Sequence, residues 1–106
     1  MAVRYVEAEA MRQAFNQAQL YHRLLAGELE ASARDESHLS RARAAKLKSP
    51  FCTRRQMVAY KEQGQLIAVV NQYLRPDGTL GASGLPDPKW LRVGDNIWKY
   101  RPRSRQ

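Results

Sequence analysis

The sequence predicts an α+β fold: N-terminal helices over about 6–33, 38–48 and 54–63, followed by a small antiparallel sheet of hairpins over about 65–100. Three observations carry this expectation. Before Gly64, apolar residues recur at steps of three and four. After Gly64 the period shortens toward two, and β-branched residues gather in Leu66-Ile67-Ala68-Val69-Val70. Two turn signals then follow, Arg75-Pro76-Asp77-Gly78-Thr79 and Gly94-Asp95-Asn96.

Each element has a local reason. Met11, Ala14, Phe15, Ala18, Tyr21, His22, Leu25 and Leu29 form one stripe of the first helix, in a stretch rich in alanine and free of proline. Gly27 weakens it by about 1 kcal/mol relative to alanine and marks a place to bend or end. Asp35 or Ser37 can cap the second helix, with Leu39, Ala42 and Leu47 inward and Lys46 and Lys48 in the last turn. Ser49-Pro50 stops it, because the residue before proline avoids helical geometry. Thr53-Arg54-Arg55-Gln56 fits a capping box for the third helix, Cys52 and Met57 fit its hydrophobic staple, and Gly64 fits its C-terminal cap. Beyond it, residues 65–74 read as a strand, Gly81–Lys89 as loop, and Trp90–Val93 with Ile97–Tyr100 as a second hairpin. The expected core is Phe15, Leu25, Met57, Leu66, Val69, Leu91 and Ile97.

The chain has 106 residues, enough for one domain (1–100), with 101–106 expected as a flexible basic tail. It carries 18 Lys+Arg against 10 Asp+Glu, a net charge of +8. The excess is uneven. Residues 1–36 sum to −2, and residues 62–106, with seven cations and four carboxylates, sum to +3. Residues 37–61 hold seven cations (Arg41, Arg43, Lys46, Lys48, Arg54, Arg55, Lys61) and no acid. A block of this kind attracts polyanions, with counterion release for each phosphate neutralised; its bland reading is a solvated basic face. No apolar run approaches the ~18 residues of a membrane-spanning helix, and Met1–Tyr5 lacks a signal-type stretch, so a cytoplasmic protein without a membrane role is expected.

One segment has a resemblance. Arg75-Pro76-Asp77-Gly78-Thr79-Leu80-Gly81-Ala82-Ser83-Gly84-Leu85-Pro86-Asp87-Pro88-Lys89 resembles a stretch that recurs in short bacterial proteins of no assigned activity, often just after a strand. It covers about a seventh of the chain and implies no chemistry.

Candidate chemistry is sparse. His22, His38 and Cys52 are the metal-ligating types available besides the carboxylates; they are far apart in sequence and lack ligand spacing, so neither a metal nor another cofactor is expected. Cys52 beside Arg54 and Arg55 has the surroundings of an activated thiol, but serves equally well as a small staple residue. Asp77, Asp87 and Asp95 occupy turn positions that explain them. A small metal-free ribonuclease of toxin type could draw on Tyr73, Arg75, Arg92, Lys99 and Tyr100 from one sheet face.

The leading expectation is non-enzymatic binding of DNA or RNA, with no catalytic residues. Two helices joined by Ser49–Cys52 match a helix-turn-helix, the second opening on Arg54, Arg55 and Gln56 with a hairpin wing bearing Arg75. The expected interface is Arg41, Arg43, Lys46, Lys48, Arg54, Arg55, Gln56, Arg75, Arg101, Arg103 and Arg105. Tyr73, Trp90, Trp98 and Tyr100 could add stacking. The rival is a protein–protein interaction module, with a homodimer through the first helix.

Overall fold

A single six-stranded sheet organises the chain. The computed structural model describes residues 2–101. In chain order the elements are β1 (Val3–Val6), α1 (Ala8–Gln17), α2 (Leu20–Leu25), β2 (Glu30–His38), α3 (Arg41–Lys46), β3 (Arg54–Glu62), β4 (Gln65–Leu74), β5 (Asp87–Val93) and β6 (Asn96–Tyr100). The strand order is β1-β6-β5-β4-β3-β2. All neighbours are antiparallel except β1, which runs parallel to β6, so the sheet is mixed.

This overturns the α+β expectation with N-terminal helices. Three short helices stand where longer ones were expected, and two strands lie inside the stretch read as helical. The first helix breaks at Gln19, a non-glycine residue in the left-handed region (φ 53°), and restarts as α2. That break resets the phase of the apolar stripe. Leu20 turns inward, and Leu25, expected in the core, is left 67% exposed. Residues 30–33 belong to β2, as do both residues expected to cap the second helix, Asp35 and Ser37. The cap of α3 is instead Ser40, whose Oγ accepts from the Arg43 N–H at 3.1 Å.

The largest correction is 54–63. These residues form β3, paired along its length with β2 on one side and β4 on the other. The capping box was a local signal; pairing with a strand on each side engages both edges of the segment, which one helix start cannot match. Gly64 explains the confusion. A left-handed glycine suits a helix C-terminus, but also a two-residue hairpin. Here Gln63 (φ 49°) and Gly64 (φ 79°) both have positive φ, as a type I′ turn between β3 and β4 requires. Cys52, no longer a staple residue, is a free, exposed cysteine in the turn before β3. Cys52→Ser should therefore change unfolding free energy by no more than about 0.5 kcal/mol in a denaturant titration.

The strands after Gly64 stand close to their expected places, with β5 beginning at Asp87 rather than Trp90. The Arg75–Gly78 turn closes through Gly78 N–H to the Arg75 carbonyl (2.9 Å), and Asp77 accepts from the Thr79 N–H and hydroxyl. The core lies where α1 and α2 cover one face of the sheet. Met11, Phe15, Leu20 and Leu29 meet Val58, Tyr60, Ala68, Val70 and Leu91, with Trp98 and Tyr100 at the margin. Of the expected core, Phe15, Val69 and Leu91 are buried, while Met57, Leu66 and Ile97 are half-buried. Among the described residues, no helix is long and apolar enough to cross a membrane.

Candidate functional site

Register builds a polar groove at the ends of β2, β3 and β4. Ser37 stands opposite Arg55, and Arg55 opposite Tyr73, so one row crosses three strands. Asn71 stands opposite Met57, two residues along from Arg55. Alternation therefore puts Arg55, Tyr73 and Asn71 on one face. There Arg55 Nε donates to Asn71 Oδ1 at 3.1 Å. The chain leaves β2 through His38 and returns as α3, with Arg43 in the first turn after the Ser40 cap. The Arg43 guanidinium donates to Tyr73 Oη at a long 3.5 Å. Opposite, the Gly81 N–H bonds the Tyr73 carbonyl at 2.7 Å, and residues of the turn that follows line a cavity with Tyr73. Asp87, paired with Asn71 across β4 and β5, accepts from Arg12 Nε (3.2 Å) and pairs with Lys89 Nζ (2.9 Å).

Two cavities result. One, of about 450 Å³, is lined by residues that include His38, Arg43 and Arg55. The other, of about 490 Å³, is lined by Arg12, Asn16, Asp87 and the 82–88 segment. Asn71, Tyr73 and Lys89 line both, so the two adjoin as one groove with Tyr73 at its middle. Four cations (Arg12, Arg43, Arg55, Lys89) face one carboxylate, Asp87. The Tyr73 phenol is held below its ordinary value, first by the hydrogen bond from Arg43 and then by the charges of Arg43 and Arg55, against an opposing effect of burial. Tyr60 in the core shows the opposite sign: burial pushes its phenol above the ordinary value. Lys89 also sits over the Tyr100 ring, 4.1 Å from its centroid.

The expected interface is divided by the fold. Arg43 and Arg55 meet in the groove. Arg54 is ion-paired with Glu36, whose carboxyl is held below its usual range first by the hydrogen bond from Gln56 and then by Arg54. Gln56 is 8% exposed, bonded to Glu36 and Gln72, and has no free edge to present to a base. Arg41 stacks on Phe51, 4.4 Å from the ring centroid. Lys46 and Lys48 are exposed at the end of α3. Arg75 Nε donates to Ser49 Oγ at 3.4 Å. Arg101 is exposed directly after Tyr100, while Arg103 and Arg105 lie outside the described residues. With β3 in place of a second helix, no helix-turn-helix forms at 41–62.

The residues drawn on for a ribonuclease also separate. Tyr73 is in the groove, whereas Arg92 bonds the Leu66 carbonyl and lies over Trp90. Arg12, Asn16, Asn71 and Lys89 were not legible as site residues. Arg12 lies in the acidic third of the chain, and its neighbours in space come from β5. Among the described residues, no group of three or more His, Cys, Asp or Glu side chains could hold a metal ion. Comparison with known protein families, curated proteins and solved structures finds no match to this chain.

Proposed function

We propose that the groove binds the phosphate backbone of a nucleic acid strand. The observation that carries this reading is the convergence of Arg43, Arg55 and Lys89 from three separate elements on one concave surface. Guanidinium forks match phosphate oxygens in geometry and charge. Asn71 holds Arg55 in place from the side, which lowers the ordering cost of a contact. Tyr73, half-buried at the middle of the groove, offers a ring on which an unpaired base can stack, which favours a single strand over a duplex. The acid-free block at 37–61 thus contributes through two of its residues, Arg43 and Arg55. The rest of the block enlarges the surrounding positive field.

Fluorescence anisotropy with labelled single-stranded RNA, single-stranded DNA and duplex DNA tests the reading. Affinity should fall linearly with the logarithm of salt. Arg43→Ala and Arg55→Ala should each weaken single-strand binding roughly tenfold, a charge-assisted hydrogen bond contributing about 1.5 kcal/mol or more. Each should also make the salt slope shallower by about 0.7. Thermal stability should be unchanged, because both side chains are exposed. If none of the three ligands binds at low salt, the reading fails.

A further inference from the structure

We propose that a single-stranded nucleic acid runs out of the groove and across the uncovered face of the sheet, stacking one base on Trp90 and another on Tyr5, with the phosphate between them on Lys99. The inference rests on the reading of the groove as a nucleic-acid site and adds the path of the strand beyond it.

The helices α1 and α2 cover the face that carries Val58, Tyr60, Val70 and Leu91, and Trp98 and Tyr100 pack toward that same core. Alternation turns Arg55 and Tyr73 to the other face. Register runs one row across the whole of that face: Ser32, Ala59, Val69, Trp90, Lys99 and Tyr5, one residue from each of the six strands. The row and the groove share β4, where Val69 and Tyr73 stand four residues, about 14 Å, apart. Trp90 is half-buried, and Tyr5, on the edge strand β1, is 58% exposed. Neighbouring strands lie about 4.8 Å apart, so the Trp90 and Tyr5 positions are about 10 Å apart with Lys99 between them. Each ring therefore meets its own base. Stacking of this kind takes unpaired bases of any identity and is closed to a duplex, whose bases are already paired and stacked.

Charge decides the occupant. Arg92 lies two residues beyond Trp90 on the same face, its guanidinium 5.9 Å from the Trp90 ring centroid. Arg101 follows Lys99 by two residues, and its N–H bonds the Val6 carbonyl at 2.8 Å, which extends the β1–β6 ladder to it. Among the described residues, none of Arg92, Lys99 and Arg101 is ion-paired. Three unneutralised cations beside two open rings fit a polyanion that carries bases. A second copy of this chain laid face to face would set the same cations against each other.

The test uses the full chain and a labelled oligonucleotide, single-stranded and as duplex. Tyr5→Ala should weaken single-strand binding roughly tenfold, the order for one stacked base, with the salt slope unchanged because no cation is lost. Lys99→Ala should make that slope shallower by about 0.7. Both side chains are exposed, so the melting temperature should stay at the parent's value. The single strand should quench tryptophan fluorescence, and Trp90→Phe should abolish the quench while the strand still binds, because Trp98 lies on the covered face. Single-strand binding that Tyr5→Ala leaves at the parent's affinity would overturn the inference and leave the groove reading standing. A quench that survives in Trp90→Phe would do the same. A parent dimer in sedimentation that Tyr5→Ala turns into a monomer would overturn it in favour of a second copy as the occupant. Failure of every oligonucleotide to bind at low salt is a different result, since it removes the groove reading itself.

Discussion

Val70→Asp should abolish folding or cost on the order of 5 kcal/mol. Val70 has no exposed surface and stands in mid-sheet, opposite Val58 on β3 and Pro88 on β5. Removing its side chain forfeits about 1.5–3 kcal/mol of apolar burial. The carboxyl must then either ionise without a partner or stay protonated without a hydrogen bond, and either state costs several kcal/mol more. A domain of this size holds about 5–15 kcal/mol in total. Circular dichroism with denaturant titration reads the result directly. Asn71→Asp is the paired control, one residue along and in the groove. It should fold normally, because Arg55 can still donate to an oxygen at that position, but it adds a second carboxylate beside the phosphate site. Its affinity for single-stranded RNA should fall and its salt slope should become shallower by about 0.7. A well-folded Val70→Asp with a melting temperature near that of the parent would show that this face of β4 is not the core.

Phe15→Ala should cost about 3–5 kcal/mol, the range for deleting a buried aromatic ring. Phe15 is 2% exposed and tilts at 47° against the Tyr60 ring, with centroids 5.9 Å apart. It ties α1 to β3 at Tyr60, so its loss leaves a cavity between the helix and the sheet. The melting temperature should drop by more than about 10 °C. Tyr60→Phe makes the contrast. The Tyr60 hydroxyl is buried without a hydrogen-bond partner, so removing it keeps the ring contact and ends a desolvation cost. That variant should be as stable as the parent or more so, by up to about 1 kcal/mol. A Tyr60→Phe variant that loses stability would mean the hydroxyl has a partner.

The candidate site was legible only in part. Arg43 and Arg55 stood out through the acid-free block, and Tyr73 through the strand it occupies. Nothing in the sequence joins them, because 30 residues separate Arg43 from Tyr73 and only the β3–β4 register brings Arg55 opposite Tyr73. Lys89 lay in a segment read as loop, and Arg12 in the N-terminal stretch of residues 1–36, whose charges sum to −2. Gln56 is the reverse case. It looked like a base reader at a helix start, yet strand pairing spends both ends of its amide on Glu36 and Gln72.

What the sequence by itself determined was local: the αL glycines, the Asp77 turn, the apolar run of β4 and the uneven charge. These depend on steric freedom, short-range hydrogen bonds and composition, which a few neighbouring residues settle. The tertiary structure decided the rest. Residues 54–62 carry a helix-start signal, and the presence of β2 and β4 on either side overrides it in favour of strand. The same pairing ends the helical reading at 30–33 and at 38, because β2 exists only as a neighbour of β3. Backbone hydrogen bonds in a sheet join residues far apart in sequence, so neither the strands nor the groove they build can be read from any one segment.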